Sequence, residues 1–216
     1  MGMIGTTFVF DTLINHLEED AIVLDIILND AYPSFGYFLT QNATTLWESW
    51  EGTSTVWHGS RNHIMFGAGI GTLYYEHFLG ITSVTNGFQE IKVQPLPSAI
   101  MQIQHVNGSI ISRFGMINVL WKYNAKLKQF HIQFHLPHGI EYASIHIPYL
   151  NNATSPSILD NFTKEIFWEN NKLIPKIVDG IVSGKINKRN WSSGVKMDVV
   201  FDIKNQPGMY DWVVSY

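Results

Sequence analysis

Apolar positions recur three and four apart in the first part of the chain, and every second residue in the rest. Residues 7–17 (TFVFDTLINHL) and 20–29 (DAIVLDIILN) carry the helical spacing. Asp20 is placed to cap the second helix, and Pro33 stops the region. Residues 63–79 (HIMFGAGIGTLYYEHFL) form a third helix with Asn62 as its cap. That segment is apolar nearly all round, which predicts burial. Gly67, Gly69 and Gly71 lie inside it. Each costs about 1 kcal/mol of helix propensity relative to alanine, a cost tolerated where another backbone or a ligand comes close.

Near residue 88 the period changes to two. Ile91 and Val93 alternate with polar neighbours, as do Met101 and Ile103, then Ile117, Val119, Trp121 and Tyr123. Phe130, Ile132, Phe134 and Leu136 share one face, and His131, Gln133 and His135 the other. Ala143, Ile145 and Ile147 continue the pattern, followed by Val195 to Ile203 and by Tyr210, Trp212 and Val214. Turn signals fall at Asn107-Gly108, Pro137 to Gly139, Pro148, Ser193-Gly194 and Pro207-Gly208, and residues 148–162 read as a long polar loop. About eight such strands predict an antiparallel β-sandwich over 88–216 after a helical segment over 1–87. Three helices, one apolar on all sides, do not close a layer architecture alone. The sandwich is therefore expected to be the more independent folding unit, with proteolysis cutting first between 30 and 62.

Composition narrows the function classes. Charged residues are only 15% and aromatics 13%, and the net charge of −4 comes with no Lys/Arg cluster, which argues against nucleic acid as a partner. With no cysteine, disulfides and thiolate metal sites are excluded. No apolar run approaches the length that spans a bilayer, so no membrane partner is expected. The start carries a myristoylation pattern at Gly2 and Thr6 but no basic signal-peptide region. Asn42, Asn107, Asn152, Asn161 and Asn190 head glycosylation triplets, which leave secretion of a longer parent open. His131 and His135 stand four apart on a strand, roughly 13 Å, too far to share a metal. No HExxH and no phosphate-cradling glycine loop occurs, so neither metal nor cofactor is expected.

One stretch stands out chemically. In PSFGYFLTQNATTLWESWEG, residues 33–52, Glu48 sits between Trp47 and Trp50, with Glu51 close behind. Two readings compete: a loop glutamate beside packing tryptophans, or a sugar pocket whose carboxylate activates water. Thr44, Thr45 and Asn62 are nearby polar groups for such a water. His63, at a helix N-terminus, could donate to a sugar hydroxyl or to Glu48, and Arg61 could pair with Glu48 or Glu51. Ser60 has no partners for a nucleophilic triad.

Several segments together resemble the C-terminal part of the glycoside hydrolase family 78 α-L-rhamnosidases. GTTFVFDTLINHLEEDAIVLDIILND resembles a helix pair of that family's (α/α)6 barrel. AYPSFGYFLTQNATTLWESWEG resembles its ATTLWE stretch, and SRNHIMFGAGIGTLYYEHFLGI its Asn-His stretch. GFQEIKVQPLP and the strands after it resemble the C-terminal sandwich. The resemblance implies inverting hydrolysis of terminal α-L-rhamnose on glycosides or polysaccharides, with Glu48 as general base. It also implies that His63 contacts the sugar, with Asn62 beside it and Trp47 and Trp50 as pocket wall or support. The family's general acid lies on earlier barrel helices that these residues do not match. The chain alone is therefore expected to be inactive, with the remaining barrel segment as a partner. Here Ser49 stands where an arginine often follows the WE pair, and Phe35 where tryptophan is usual. Two other classes stay open. One is a carbohydrate-binding module using Trp121, Tyr123, Tyr142 and Trp212 as a platform, although alternation points Trp121 and Tyr123 to the core. The other is a scaffold that needs a partner for its exposed helices.

Overall fold

The structure is a computed structural model. It describes residues 3–17, 19–52, 59–63, 69–150, 156–174, 181–191 and 194–216. The chain divides into two units, one comprising Met1–Tyr74 with Trp191–Ser193, the other Tyr75–Asn190 with Gly194–Tyr216.

The first unit is helical. Its helix Met3–Asp11 widens into a π-type turn over Thr12–His16. The second helix, Asp20–Leu28, begins one residue earlier than a cap at Asp20 requires. Asp20 is its first helical residue, and Glu19 precedes it without a side-chain capping bond. Val23, Leu24 and Ile27, at helical spacing, are the buried face. A cis Tyr32–Pro33 bond leads into a short helix, Phe35–Thr40, which apolar spacing did not predict. Its start is set by Ser34, whose Oγ accepts from the Tyr37 amide at 2.8 Å. Gly36 lies flat against this bend, where a Cβ would stand 2.4 Å from the Asn29 carbonyl oxygen. Residues 69–72 are helical and continue into a π-type turn, Leu73–Phe78. Residues 64–68, which include Gly67 and the first turn that Asn62 is expected to cap, lie outside the described residues. The helix is not buried all round: Leu73 and Phe78 are, while Tyr74 and Tyr75 are exposed. Gly69 meets Thr7 so closely that a Cβ would stand 2.1 Å from its hydroxyl, a direct reason for glycine there.

The second unit is a sandwich of two sheets. Its strands are β1 (Ile81–Ser83), β2 (Glu90–Val93), β3 (His105–Ser112), β4 (Gly115–Asn124), β5 (Gln129–Leu136) and β6 (Tyr142–Pro148). They continue with β7 (Ser157–Asp160), β8 (Glu165–Glu169), β9 (Lys172–Leu173), β10 (Ile181–Trp191), β11 (Gly194–Lys204) and β12 (Gly208–Ser215). One sheet runs β1-β2-β6-β11-β10 and the other β3-β4-β5-β12-β7-β8-β9. The pairs β1–β2, β6–β11, β3–β4, β4–β5, β5–β12, β12–β7, β7–β8 and β8–β9 are antiparallel, and β2–β6 is parallel.

Alternation decides what is inside. In β5 every even position from Phe130 to Leu136 is buried, and β4 buries Ile117, Val119, Trp121 and Tyr123. Ile91, Val93, Ile145, Ile147, Val199 and Phe201 line the facing sheet. Between the two, Phe201 meets Phe167 and Trp212 at ring-centroid distances of 5.3 Å each. Each such side chain contributes roughly 1.5–3 kcal/mol through its burial. Trp121 and Trp212 are therefore core residues at 0% exposure, not faces of an exposed aromatic platform. Tyr142 is half-buried with its hydroxyl donating to Asp202.

Three sequence expectations fail here for identifiable reasons. Met101 and Ile103 belong to a helix, Pro97–Ile103, with Pro97 in its first turn, where the missing N–H costs nothing. Asn107-Gly108 is not a turn but the middle of β3, paired with Leu120 and Val119. A Cβ at Gly108 would stand 3.0 Å from a Leu79 methyl, so a larger residue there would make that side chain shift by a few tenths of an ångström. The expected loop over 148–162 contains β7, which pairs with β12 from Ser157 to Asp160. Its residues 151–155, and the turn at Ser193, lie outside the described residues.

Candidate active site

The site is built on a turn that folds back on a second segment. The Glu48 amide donates to the Ser60 carbonyl at 3.0 Å, and the His63 amide to the Leu46 carbonyl at 2.8 Å. The Thr45 hydroxyl adds a third tie, to the Arg61 carbonyl. These bonds lay residues 45–48 beside 60–63 and bring two polar side chains together. Glu48 Oε2 accepts from the Ser60 amide at 2.8 Å and stands 3.6 Å from His63 Nδ1. Among the described residues its other oxygen, Oε1, has no hydrogen-bond partner. Both side chains are partly open to solvent, 36% for Glu48 and 25% for His63.

Behind the carboxylate lies aromatic core. Trp47 and Trp50 are each 5% exposed and share a cluster with Phe38. Phe38 sits 4.8 Å from the Trp47 ring and 5.3 Å from Trp50, and Phe35 meets Trp50 edge-on at 5.0 Å. Gly52 closes the turn against the Trp47 indole, where a Cβ would stand 2.3 Å from a ring carbon. The indoles therefore fix the position from which Glu48 projects. The acid is on a loop and beside packing tryptophans, and yet half in water next to a histidine.

The other candidates fall outside this pair. Asn62 is exposed, its amide bonded to the Ser60 hydroxyl at 3.1 Å. Arg61 is exposed and, among the described residues, makes no ion pair. Glu51 is exposed and accepts from the Tyr32 hydroxyl at 3.4 Å. Thr44 is exposed too. The residue that sequence reasoning did not assign is Ser60, which acts through its backbone N–H. A main-chain donor twelve positions from its acceptor leaves no side-chain signal. Among the described residues, no group of three or more His, Cys, Asp or Glu side chains is arranged to hold a metal ion.

Comparison with known proteins finds two family models that follow one another along the chain. Residues 1–78 match the bacterial alpha-L-rhamnosidase 6 hairpin glycosidase domain, and residues 80–157 the bacterial alpha-L-rhamnosidase C-terminal domain. An alpha-L-rhamnosidase of Formosa agariphila is 28% identical over 221 aligned residues, covering 100% of this chain and 21% of that protein. One from an Alteromonas species is 30% identical over 126 residues, 56% of this chain and 13% of the relative. The chain thus spans about a fifth, or less, of the length of the curated relatives it matches. Two solved structures share the fold. The alpha-L-rhamnosidase of Dictyoglumus thermophilum gives a TM-score of 0.74 at 20% identity, over 99% of this chain and 21% of its own. That of Streptomyces avermitilis, solved with L-rhamnose, gives 0.69 at 17% identity, over 99% of this chain and 18% of its own.

Proposed function

The chain belongs to the bacterial α-L-rhamnosidase family, and from that premise we propose that Glu48 is the general base of an inverting hydrolysis of terminal α-L-rhamnosides. The observation that carries the reading is the carboxylate's setting: one oxygen tied to the Ser60 amide, a histidine 3.6 Å away, and partial exposure. A base for water needs to be held in orientation and reachable by solvent at once. With Oε2 fixed, Oε1 is the oxygen that takes the proton. The water oxygen bonds to the anomeric carbon as the glycosidic bond breaks on the opposite face, and Glu48 receives the water's proton. His63 serves the sugar side, hydrogen-bonding a rhamnose hydroxyl and holding the carboxylate. Asn62 extends that side at the surface. Trp47 and Trp50 act as positioning residues behind the acid.

Protonation of the leaving oxygen needs a second carboxyl group about 6.5–9.5 Å from the base. We assign that general acid, and most of the sugar pocket, to protein beyond these residues, because the relatives are about five times as long as the matched region. Residues 1–216 alone should release no 4-nitrophenol from 4-nitrophenyl α-L-rhamnoside. Joined to an upstream six-hairpin segment, they should turn it over and give β-L-rhamnose as first product, read by proton NMR. Turnover by the 216 residues alone would overturn the need for the further segment. An α-configured first product would overturn inversion.

A further inference from the structure

A cleft lies on the outer face of the seven-stranded sheet. Here β3, β4, β5 and the turn after β7 surround an open cleft of about 820 Å³, within the range of small-molecule sites. Strand register sets its floor. His105 stands opposite Lys122, Lys122 opposite His131, and His131 opposite Val213. Neighbouring strands are about 4.8 Å apart, so a histidine, a lysine and a histidine form a row about 10 Å long. Lys126 adds a second ammonium from the β4–β5 turn, and no carboxylate is among the lining residues.

The acid nearest this row is already committed. Asp211 accepts from Gln133 at 2.9 Å, from the Asn161 side chain at 3.0 Å and from His131 Nε2. Burial alone pushes its pKa up, but these donors outweigh it and hold the carboxyl below its ordinary value. An ionised Asp211 can only accept, so His131 carries its proton on Nε2. The buried carboxylate thereby orients the imidazole without reaching Lys122. The row thus offers an ammonium flanked by two imidazoles, with no carboxylate among the lining residues to neutralise it, and such a set of donors suits an anion.

We propose that this cleft binds the anionic group of an acidic sugar, with Lys122 and His105 as its principal contacts. The anion follows from the row itself. The sugar rests on the rhamnosidase reading, and on the Gln104 and Gln129 side chains at the rim, which suit hydroxyl groups.

The test is calorimetric titration of the 216-residue chain with D-galacturonate, with D-galactose and with sodium sulfate. Galactose differs from galacturonate only in carrying a hydroxymethyl group where galacturonate has its carboxylate. Galacturonate should bind in the millimolar range, galactose should not, and sulfate should bind more weakly than galacturonate. Lys122→Gln and His105→Gln alter exposed side chains and should each weaken galacturonate about tenfold. Lys172→Gln on β9 should leave it unchanged, and so should Glu48→Gln, which separates this site from the hydrolytic one. Equal binding of galactose and galacturonate would overturn the anion assignment. Sulfate binding as tightly as galacturonate would overturn the sugar. Absence of binding, or indifference to Lys122→Gln and His105→Gln, would overturn the site.

Discussion

Replacing Gly52 with alanine drives a methyl group into the Trp47 indole. The new carbon would stand 2.3, 2.5 and 2.9 Å from three indole carbons, where ordinary contact begins near 3.5 Å. The indole has little room to yield, since it is 5% exposed and packs on Phe38 with ring centroids 4.8 Å apart. Either the turn opens or the Phe38–Trp47–Trp50 cluster separates. Overpacking of this kind costs about 1–3 kcal/mol. With an urea dependence of about 1–3 kcal/mol per molar, the midpoint should fall by about 1 M. Gly71→Ala is the matched control. Nothing lies within 4 Å of its added carbon, and in a helix alanine gains up to about 1 kcal/mol over glycine, so its midpoint should rise. Urea unfolding read by indole fluorescence measures both. The same shift in Gly52→Ala should be accompanied by a changed near-ultraviolet circular dichroism spectrum, because the aromatic cluster is disturbed. A Gly52→Ala chain with an unchanged midpoint and spectrum would refute the claim that packed tryptophans fix the turn carrying Glu48.

Ser34→Ala removes the hydroxyl that caps the Phe35–Thr40 helix and should cost about 0.5–2 kcal/mol, with Ser34→Asn losing less in the same urea assay. Asp202 behaves as Asp211 does: burial raises its pKa, and bonds from Ser183 and Tyr142 with the nearby Lys185 ammonium outweigh that and lower it. Carboxyls held below their unfolded value, about 3.9, contribute stability that is complete above that value. It is lost as pH falls through the lower folded value. Acid titration of stability should therefore be flatter in Asp211→Asn than in the native chain, and an unchanged slope would contradict the network. A chain of residues 75–216 should be measurably more stable than one of 88–216. The shorter form loses strand β1 and the Phe78 carbonyl, which accepts from the buried Trp121 Nε1 at 2.9 Å, and equal melting temperatures would count against this.

Much of the sandwich was legible because period two persists where one face is buried. β4 and β5 alternate over four positions each, and the structure buries those same positions. Where the run was short the period misled. Met101 and Ile103 are two positions only, and Pro97 outweighed them by starting a helix. Asn107-Gly108 carries turn chemistry, yet the ladder with β4 decided its conformation. β7 was hidden because a four-residue strand among polar residues has too little apolar content to register. The acid and histidine of the candidate site were legible as residue types, but their meeting was not. It depends on main-chain bonds between Glu48, Ser60, Leu46 and His63, which no side-chain pattern encodes. His131 and Asp211 are likewise eighty residues apart and adjacent only because β12 pairs with β5.

The central claim is that Glu48 activates water. Its most direct test is kcat for 4-nitrophenyl α-L-rhamnoside, measured on these residues joined to an upstream six-hairpin segment, with Glu48→Gln beside the native form. The glutamine keeps the size and the Ser60 contact but cannot take a proton. Loss of general-base assistance should lower kcat by about 10²–10⁴-fold with KM little changed, and Glu51→Gln should stay within a few-fold of native. A Glu48→Gln enzyme that keeps native kcat while Glu51→Gln loses it would move the base to the neighbouring acid and contradict the account.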